Sequence, residues 1–114
     1  MIEKISVALL GAEARGRLIG GKMAENGDKF ELKAICDIDP NQIEKCRTLF
    51  NISQDMAYSD EESFFEEKRA DLLVIATYDK EHARQCIRAM ELGYNILVEK
   101  LLVLSAVRFH LLVL

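Results

Sequence analysis

The segment GAEARG, residues 11–16, directly follows the apolar run ISVALL and contains two suitably spaced glycines. Gly11 and Gly16 occupy the first and third glycine positions of the pattern G-x-G-x-x-G, and Glu13 occupies the second. A glycine-rich turn between a strand and a helix binds pyrophosphate, because it brings the first N–H groups of the helix against the phosphate oxygens. The side chain of Glu13 crowds this position and adds a negative charge. We therefore expect a pyrophosphate site that is weakened but not abolished.

A second candidate site residue is Asp37, which ends another apolar segment about 20 residues after Gly16. An acid at this place can accept hydrogen bonds from the hydroxyls of an adenosine ribose. Alternatively, Asp37 is a turn residue that helps Asp39 to start the next helix. If Asp37 binds the ribose, the two acids together repel the 2′-phosphate of NADP, so NAD is favoured over NADP.

Apolar runs and breakers along the chain predict strands that alternate with helices. The predicted strands cover residues 5–10, 30–36, 56–58, 72–76 and 96–98, and the predicted helices cover residues 14–26, 40–50, 60–68 and 79–92. Strands that are apolar on both faces imply a parallel sheet covered by helices on both sides. Because crossovers between parallel strands are right-handed, we predict a doubly wound α/β sheet of the Rossmann type, in three layers.

The ends and faces of two helices carry the clearest local signals. Asp39 is predicted to cap the second helix, with Pro40 at its first position and Gln42 completing a capping box. Asp79 is predicted to cap the last long helix, which Gly93 ends. The residues predicted to face the core from these two helices are Ile43, Cys46, Leu49, Phe50, Ala83, Cys86, Ile87 and Met90.

Composition and charge narrow the classes of partner. The chain has 114 residues and a net charge of −4, with its basic residues scattered among acids. This argues against nucleic acid or an anionic membrane as a partner. Cys36, Cys46 and Cys86 lie in apolar stretches without a C-x-x-C pair, so we expect buried reduced thiols and no metal site. No signal peptide is expected, because MIEKISVALLGAEA has too short an apolar region before its glycine turn, and a cytoplasmic location is expected.

Residues 73–100, LVIATYDKEHARQCIRAMELGYNILVEK, contain a further pattern. It resembles the nucleotide-binding half of the Gfo/Idh/MocA oxidoreductases, the glucose–fructose oxidoreductase and inositol dehydrogenase family. The family reads T-P-x-x-x-H and then A-L-x-x-G-x-x-V-x-x-E-K-P. This chain matches with Thr77, His82, Ala89, Gly93, Glu99 and Lys100, and departs with Tyr78 and Leu101 in place of the prolines. The resemblance extends over residues 3–100.

The resemblance implies an NAD-dependent oxidoreductase that transfers hydride between nicotinamide and a hydroxyl-bearing carbon of a sugar or polyol. Lys100 would be the catalytic residue that contacts the nicotinamide ribose and the substrate oxygen. Thr77 and His82 would flank the nicotinamide. The implied cofactor-binding residues are Gly11, Ala12, Glu13, Arg15, Gly16, Asp37, Thr77, His82 and Glu99.

The domain organisation is expected to be a dinucleotide-binding domain over residues 1–100, followed by an apolar tail over residues 101–114 that does not resemble the family. The family's second domain, which supplies the substrate pocket, is expected to be missing, and the isolated chain is expected to be inactive. The tail predicts a homo-oligomer, since an exposed apolar stretch is an association site. The alternative interpretation is a non-catalytic nucleotide-binding or self-associating module derived from such an oxidoreductase.

Overall fold

The structure, a computed structural model, describes residues 3–77 and 79–98. Their five strands form one sheet in the order β3-β2-β1-β4-β5, and every neighbouring pair is parallel. The strands are β1 (Ile5–Leu10), β2 (Phe30–Cys36), β3 (Ala57–Tyr58), β4 (Leu72–Ile75) and β5 (Asn95–Val98). The predicted doubly wound parallel sheet is confirmed.

Four α-helices connect these strands: α1 (Ala14–Ala24), α2 (Pro40–Phe50), α3 (Glu61–Phe64) and α4 (His82–Glu91). Side chains of β1 alternate between two cores, because successive residues of a strand point to opposite faces. Val7 and Leu9 lie in the core that includes α1 and α2 residues, and Ala8 and Leu10 lie in the core that includes α3 and α4 residues. The result is a three-layer arrangement with the sheet in the middle.

The sequence predicted the sheet better than the helix ends. Helix α1 ends at Ala24 rather than at residue 26, and α3 ends at Phe64 rather than at residue 68. Asp79 does not occupy the N-cap position of α4. Residues Asp79–Glu81 form a 3-10 turn, and Glu81 occupies the N-cap position of α4. Gly93 follows α4 with a φ of +85°, a conformation that favours glycine, as its predicted role requires.

Some residues predicted to face the core are exposed. Leu49 of α2 is 62% exposed, and Ile87 and Met90 of α4 are 48% and 37% exposed. The buried face of α4 contains two polar residues, His82 and Gln85, beside Cys86 and Ala89. Hydrophobic periodicity wrongly predicts that Ile87 and Met90 face the core, because His82 and Gln85 have hydrogen-bonding partners inside the protein and take the inward face.

The three cysteines lie in the interior as predicted, and none forms a disulfide in the described part of the chain. Burial raises the pKa of Cys36 to about 12 and the pKa of Cys86 to about 11, so neither thiol is a reactive thiolate near neutral pH. Within the same residues, every helix is too short or too polar to span a membrane. Tyr78, Glu99, Lys100 and the tail over residues 101–114 lie outside the described residues.

Candidate nucleotide-binding site

A cleft of about 470 Å³ lies at the carboxyl ends of β1, β2 and β4. The chain order of the sheet reverses here, because β1 is hydrogen-bonded to β2 on one side and to β4 on the other. Ligands of doubly wound sheets bind at this kind of position. The lining residues are Leu10, Gly11, Glu13, Cys36, Asp37, Ile38, Asp39, Glu61, Ala76, Thr77, Lys80, Glu81 and Gln85.

Two glycines allow the turn after β1 to pack closely at the base of the cleft. Gly11 has a φ of +107°, and a Cβ atom added there would lie 2.8 Å from the carbonyl oxygen of Ala76. A Cβ atom added at Gly16 would lie 2.0 Å from the carbonyl oxygen of Gly11. Both positions therefore require glycine, the first for its backbone conformation and both for space.

The N-terminus of helix α1 borders the cleft, which Glu13 lines. Glu13 occupies the N-cap position, and in the described part of the chain its side chain forms no capping hydrogen bond. The first turn of α1 contains no acidic residue. Glu13 itself is exposed and has a φ of −74°, which any residue can adopt, so its carboxylate is hydrated without backbone strain. The N-terminus of a helix favours an anion, and here an exposed carboxylate lies beside it.

The carboxylate of Asp37 links two turns that border the cleft. Its Oδ2 accepts a hydrogen bond of 2.7 Å from the backbone N–H of Ala12. Its Oδ1 accepts a hydrogen bond of 2.8 Å from the backbone N–H of Asp39. The second bond is the turn role that was the alternative interpretation of Asp37. Each carboxylate oxygen keeps a further lone pair, so the same side chain can also accept from ribose hydroxyls.

Asp39 caps α2 as predicted, since its side chain accepts from Asn41 N–H at 2.9 Å. The predicted capping box is wrong, because the side chain of Gln42 instead accepts from Arg17. Arg17 also donates to the carbonyl oxygen of Ala12 at 2.8 Å, from behind the glycine turn. The guanidinium therefore supports the turn from the side of α2, which the sequence pattern did not indicate.

Thr77 and His82 meet at the other end of the cleft. Thr77 lines the cleft, whereas His82 is 1% exposed and lies behind the turn. His82 Nε2 is 2.7 Å from the carbonyl oxygen of Thr77. Because a carbonyl only accepts, this nitrogen carries the proton. His82 therefore contacts the backbone of Thr77 from the side away from the cleft.

A polar network joins Thr77 to α3. The hydroxyl of Thr77 donates to Gln85 Oε1, and Gln85 Nε2 donates to Glu61 Oε2 at 3.0 Å. Arg84 donates to both oxygens of Glu61, at 2.8 and 3.2 Å, and also pairs with Glu81. Burial alone would raise the pKa of Glu61, but donation from Arg84 and Gln85 outweighs it and holds this pKa below its ordinary value. The sequence indicates neither Glu61 nor Gln85 as a site residue, because neither belongs to a recognisable pattern and only folding brings them together.

The predicted site residues are thus placed as follows. Gly11, Glu13, Asp37 and Thr77 line the cleft, Ala12 lies in the turn that forms its base, and Gly16 lies in the first turn of α1 against that turn. Arg15 is exposed on the first turn of α1. Glu99 and Lys100 lie outside the described residues. Across residues 3–77 and 79–98, no group of three histidine, cysteine, aspartate or glutamate side chains is arranged to hold a metal ion.

Comparison with known proteins gives a family and a set of structural relatives. The family model for the oxidoreductase family with an NAD-binding Rossmann fold (GFO_IDH_MocA) matches residues 5–109. No curated protein matches the sequence. The fold resembles that of the WlbA dehydrogenase from Bordetella pertussis, solved in complex with NADH and UDP-GlcNAcA, with a TM-score of 0.78 and 27% sequence identity. That match covers 87% of this chain and 29% of that chain.

Two further relatives have the same fold. A myo-inositol dehydrogenase from Corynebacterium glutamicum is 26% identical with a TM-score of 0.75, over 86% of this chain and 28% of that chain. GenD2 from gentamicin A biosynthesis, solved in complex with NAD, has a TM-score of 0.74 and 21% identity, over 88% of this chain and 28% of that chain. At that identity, GenD2 supports the fold alone. The chain spans less than a third of the length of each of these solved chains.

Proposed function

Because the chain belongs to the oxidoreductase family with an NAD-binding Rossmann fold, we propose that its cleft binds NAD in preference to NADP. The observation that carries this proposal is the position of Asp37, whose carboxylate borders the cleft and braces the glycine turn at 2.7 Å. A single side chain then connects the adenosine ribose with the turn that receives the pyrophosphate. The residues proposed to hold the cofactor are Gly11, Ala12, Glu13, Arg15, Gly16, Asp37, Thr77 and Glu99.

The base of the cleft fits a pyrophosphate. The turn between β1 and α1 is compact enough to exclude a Cβ atom at Gly11 and Gly16. The first amides of the 11-residue helix α1 are uncapped by Glu13. Such amides and the helix dipole together favour an anion. Arg15 lies on the same first turn of α1.

The two acids after β2 support the choice of NAD over NADP. Asp37 and Asp39 both line the cleft. A 2′-phosphate about 4 Å from one carboxylate would be repelled by about 4 kcal/mol at an effective dielectric of 20, and by about 1 kcal/mol across water. Even the smaller value corresponds to several-fold weaker binding of NADPH.

We further propose that the protein acts on a sugar or polyol. When bound, the nicotinamide ring supplies or accepts a hydride, and the protein holds it against the reacting carbon. The solved relatives support this substrate class, since one was solved with UDP-GlcNAcA and another is a myo-inositol dehydrogenase. Lys100, by its match to the family's Glu-Lys ending, is proposed to polarise the substrate oxygen.

Titration of the 114-residue chain with NADH and NADPH, followed by nicotinamide fluorescence, tests the cofactor proposal. We expect NADH to bind about tenfold more tightly. Asp37→Asn removes the charge and keeps one acceptor oxygen for the two backbone N–H groups, so it should narrow the preference for NADH with less damage to the turn than Asp37→Ala. Asp37→Ala should weaken both ligands, because the Ala12 N–H also loses its partner. Preference of the unmodified chain for NADPH would overturn the ribose assignment.

A further inference from the structure

We infer that Glu61 is a positioning residue that acts through Gln85 to present the hydroxyl oxygen of Thr77 to the cleft as a hydrogen-bond acceptor. The ligand group that this oxygen takes is an N–H or O–H donor on the nicotinamide half of the dinucleotide. The inference rests on the proposed function, since it concerns the same cleft. It assigns the chemistry of one end of that cleft from the direction of its hydrogen bonds.

The direction of the hydrogen bonds follows from the negative charge of Glu61, which lies at the far end of the network from Thr77. An ionised carboxylate only accepts hydrogen bonds, so Glu61 requires a donor from Gln85. The amide nitrogen of Gln85 satisfies it, with Nε2 3.0 Å from Glu61 Oε2. The amide oxygen of Gln85 therefore faces Thr77. Because a hydroxyl has one proton, Thr77 donates it to Gln85 and keeps only acceptor lone pairs for the cleft.

Two features fix the direction of these hydrogen bonds, the burial of Gln85 and the pairing of Glu61 with Arg84. Gln85 is 1% exposed, so bulk water does not compete for its amide. A flip of the amide would bring the amide oxygen of the buried Gln85 against the carboxylate of Glu61, and this contact between two acceptors is costly. The bidentate pair between Arg84 and Glu61, at 2.8 and 3.2 Å, keeps that carboxylate ionised and oriented.

The backbone of Thr77 is fixed independently of its hydroxyl. His82 donates to its carbonyl oxygen at 2.7 Å. On the other side, the space between Gly11 and the Thr77 nitrogen is tight, since a Cβ at Gly11 would lie 3.2 Å from that nitrogen. Thr77 thus adjoins the glycine turn, on the β4 side of the cleft. In a doubly wound dinucleotide site the second nucleotide half lies on this side of the first turn.

The experiment compares three ligands by calorimetric titration of the full chain. NADH carries both candidate donors, the carboxamide N–H and the ribose hydroxyls. The reduced 3-acetylpyridine analogue keeps the hydroxyls but lacks the carboxamide N–H. ADP lacks the nicotinamide half altogether. Binding of ADP therefore reports on the glycine turn and the adenosine side alone.

Two variants break the network and two serve as controls. Thr77→Val removes the hydroxyl at nearly constant volume, and Glu61→Gln removes the charge that orients Gln85. Thr77→Ser keeps a hydroxyl, and Glu62→Gln makes the same charge change at the neighbouring exposed residue of α3. We expect Thr77→Val to weaken NADH about fivefold and Glu61→Gln about threefold, as for the loss of one hydrogen bond. ADP binding should be unchanged, Thr77→Ser should recover most of the NADH affinity that Thr77→Val loses, and Glu62→Gln should bind like the unmodified chain.

The three ligands, compared across the variants, distinguish the possible outcomes. If the acetylpyridine analogue is insensitive to Thr77→Val, the donor is the carboxamide, and if it loses affinity as NADH does, the donor is a ribose hydroxyl; both outcomes support the inference. Unchanged NADH binding in Thr77→Val and Glu61→Gln would overturn it and leave the proposed function standing. Equal losses for NADH and ADP would also overturn it, because they would indicate general structural damage. An unmodified chain that binds neither NADH nor ADP would refute the proposed function and this inference together.

Discussion

The two ends of the cleft are built in different ways. At the glycine turn, backbone groups form the site, and the decisive feature is the absence of side chains at Gly11 and Gly16. At the opposite end, the side chains of Thr77, Gln85 and Glu61 form a hydrogen-bonded chain across three separate parts of the fold. The first end is determined by shape and the second by the direction of hydrogen bonds.

This difference predicts how each end tolerates substitution. A close backbone packing cannot adjust to an added atom without moving a strand or a helix, so small changes there affect the whole domain. A side-chain network loses one bond at a time, and partly exposed members such as Arg84 can be replaced by water. We therefore expect large, global effects at the glycine turn and small, ligand-specific effects at the Thr77 end.

Gly16→Ala should have the largest effect. Its Cβ would lie 2.0 Å from the carbonyl oxygen of Gly11, which is backbone and cannot rotate away. Overpacking of this kind costs about 3 kcal/mol of unfolding free energy, and NADH binding should be lost with it. Urea unfolding followed by circular dichroism measures the change.

The matched control is Gly21→Ala in the same helix, where an added Cβ meets no atom within 4 Å among the described residues. It should raise the unfolding free energy by about 0.5 to 1 kcal/mol, because alanine is the better helix former. If the two variants were equally stable, the close contact between α1 and the turn after β1 would be wrong.

The contrast between the ends also explains what the sequence could predict. The turn was recognisable from Gly11, Gly16 and Asp37, because its geometry depends on glycine and on spacing within one strand–turn–helix unit. The sheet was predictable for a similar reason, since strands buried on both faces appear as continuous apolar runs. Strands β1 and β2 have the bounds that the sequence predicted.

The Thr77 end could not be predicted in the same way. Glu61 and Gln85 are brought together only by the packing of α3 against α4, and neither residue type indicates a site by itself. The same cause explains the wrong inward face of α4. Gln85 and His82 are buried because partners exist for them in the folded protein, and Ile87 remains exposed. Periodicity of hydrophobic residues does not contain this information.

Glu13 gives a prediction of intermediate size at the turn. Its exposed position keeps the electrostatic penalty on a pyrophosphate near the value for water, about 1 kcal/mol, while its bulk hinders close approach of the backbone. Glu13→Gly should tighten NADH binding at least about tenfold, which corresponds to 1.4 kcal/mol. Glu13→Gln removes the charge and keeps the bulk of the side chain, so it should show only part of the gain in NADH affinity.

Calorimetric titration of these two variants and the unmodified chain at low salt is the test. Glycine is also an acceptable N-cap residue, so a loss of helix stability should not obscure the result. Three equal affinities would mean that the pyrophosphate does not lie on this turn, and the proposed cofactor position would then be wrong.

The smallest effect is expected from protonation of Glu61, and it depends on the direction of its pKa shift. Burial alone would raise this pKa, but hydrogen bonds from Arg84 and Gln85 lower it below its ordinary value of 4.5. A carboxylate whose pKa is lower in the folded protein stabilises the fold above the unfolded pKa, and this contribution is lost as the pH falls through the folded value. Unfolding free energies measured in urea between about pH 7 and pH 3 should therefore converge for the unmodified chain and Glu61→Gln as the pH decreases.

At neutral pH we expect the two unfolding free energies to differ by about 1 kcal/mol or less, because the pair between Glu61 and Arg84 is partly exposed. Glu62→Gln corrects for the general effect of removing one negative charge from α3. If the curves of unfolding free energy against pH were parallel for Glu61→Gln and Glu62→Gln, the carboxylate of Glu61 would not hold the network that orients Thr77.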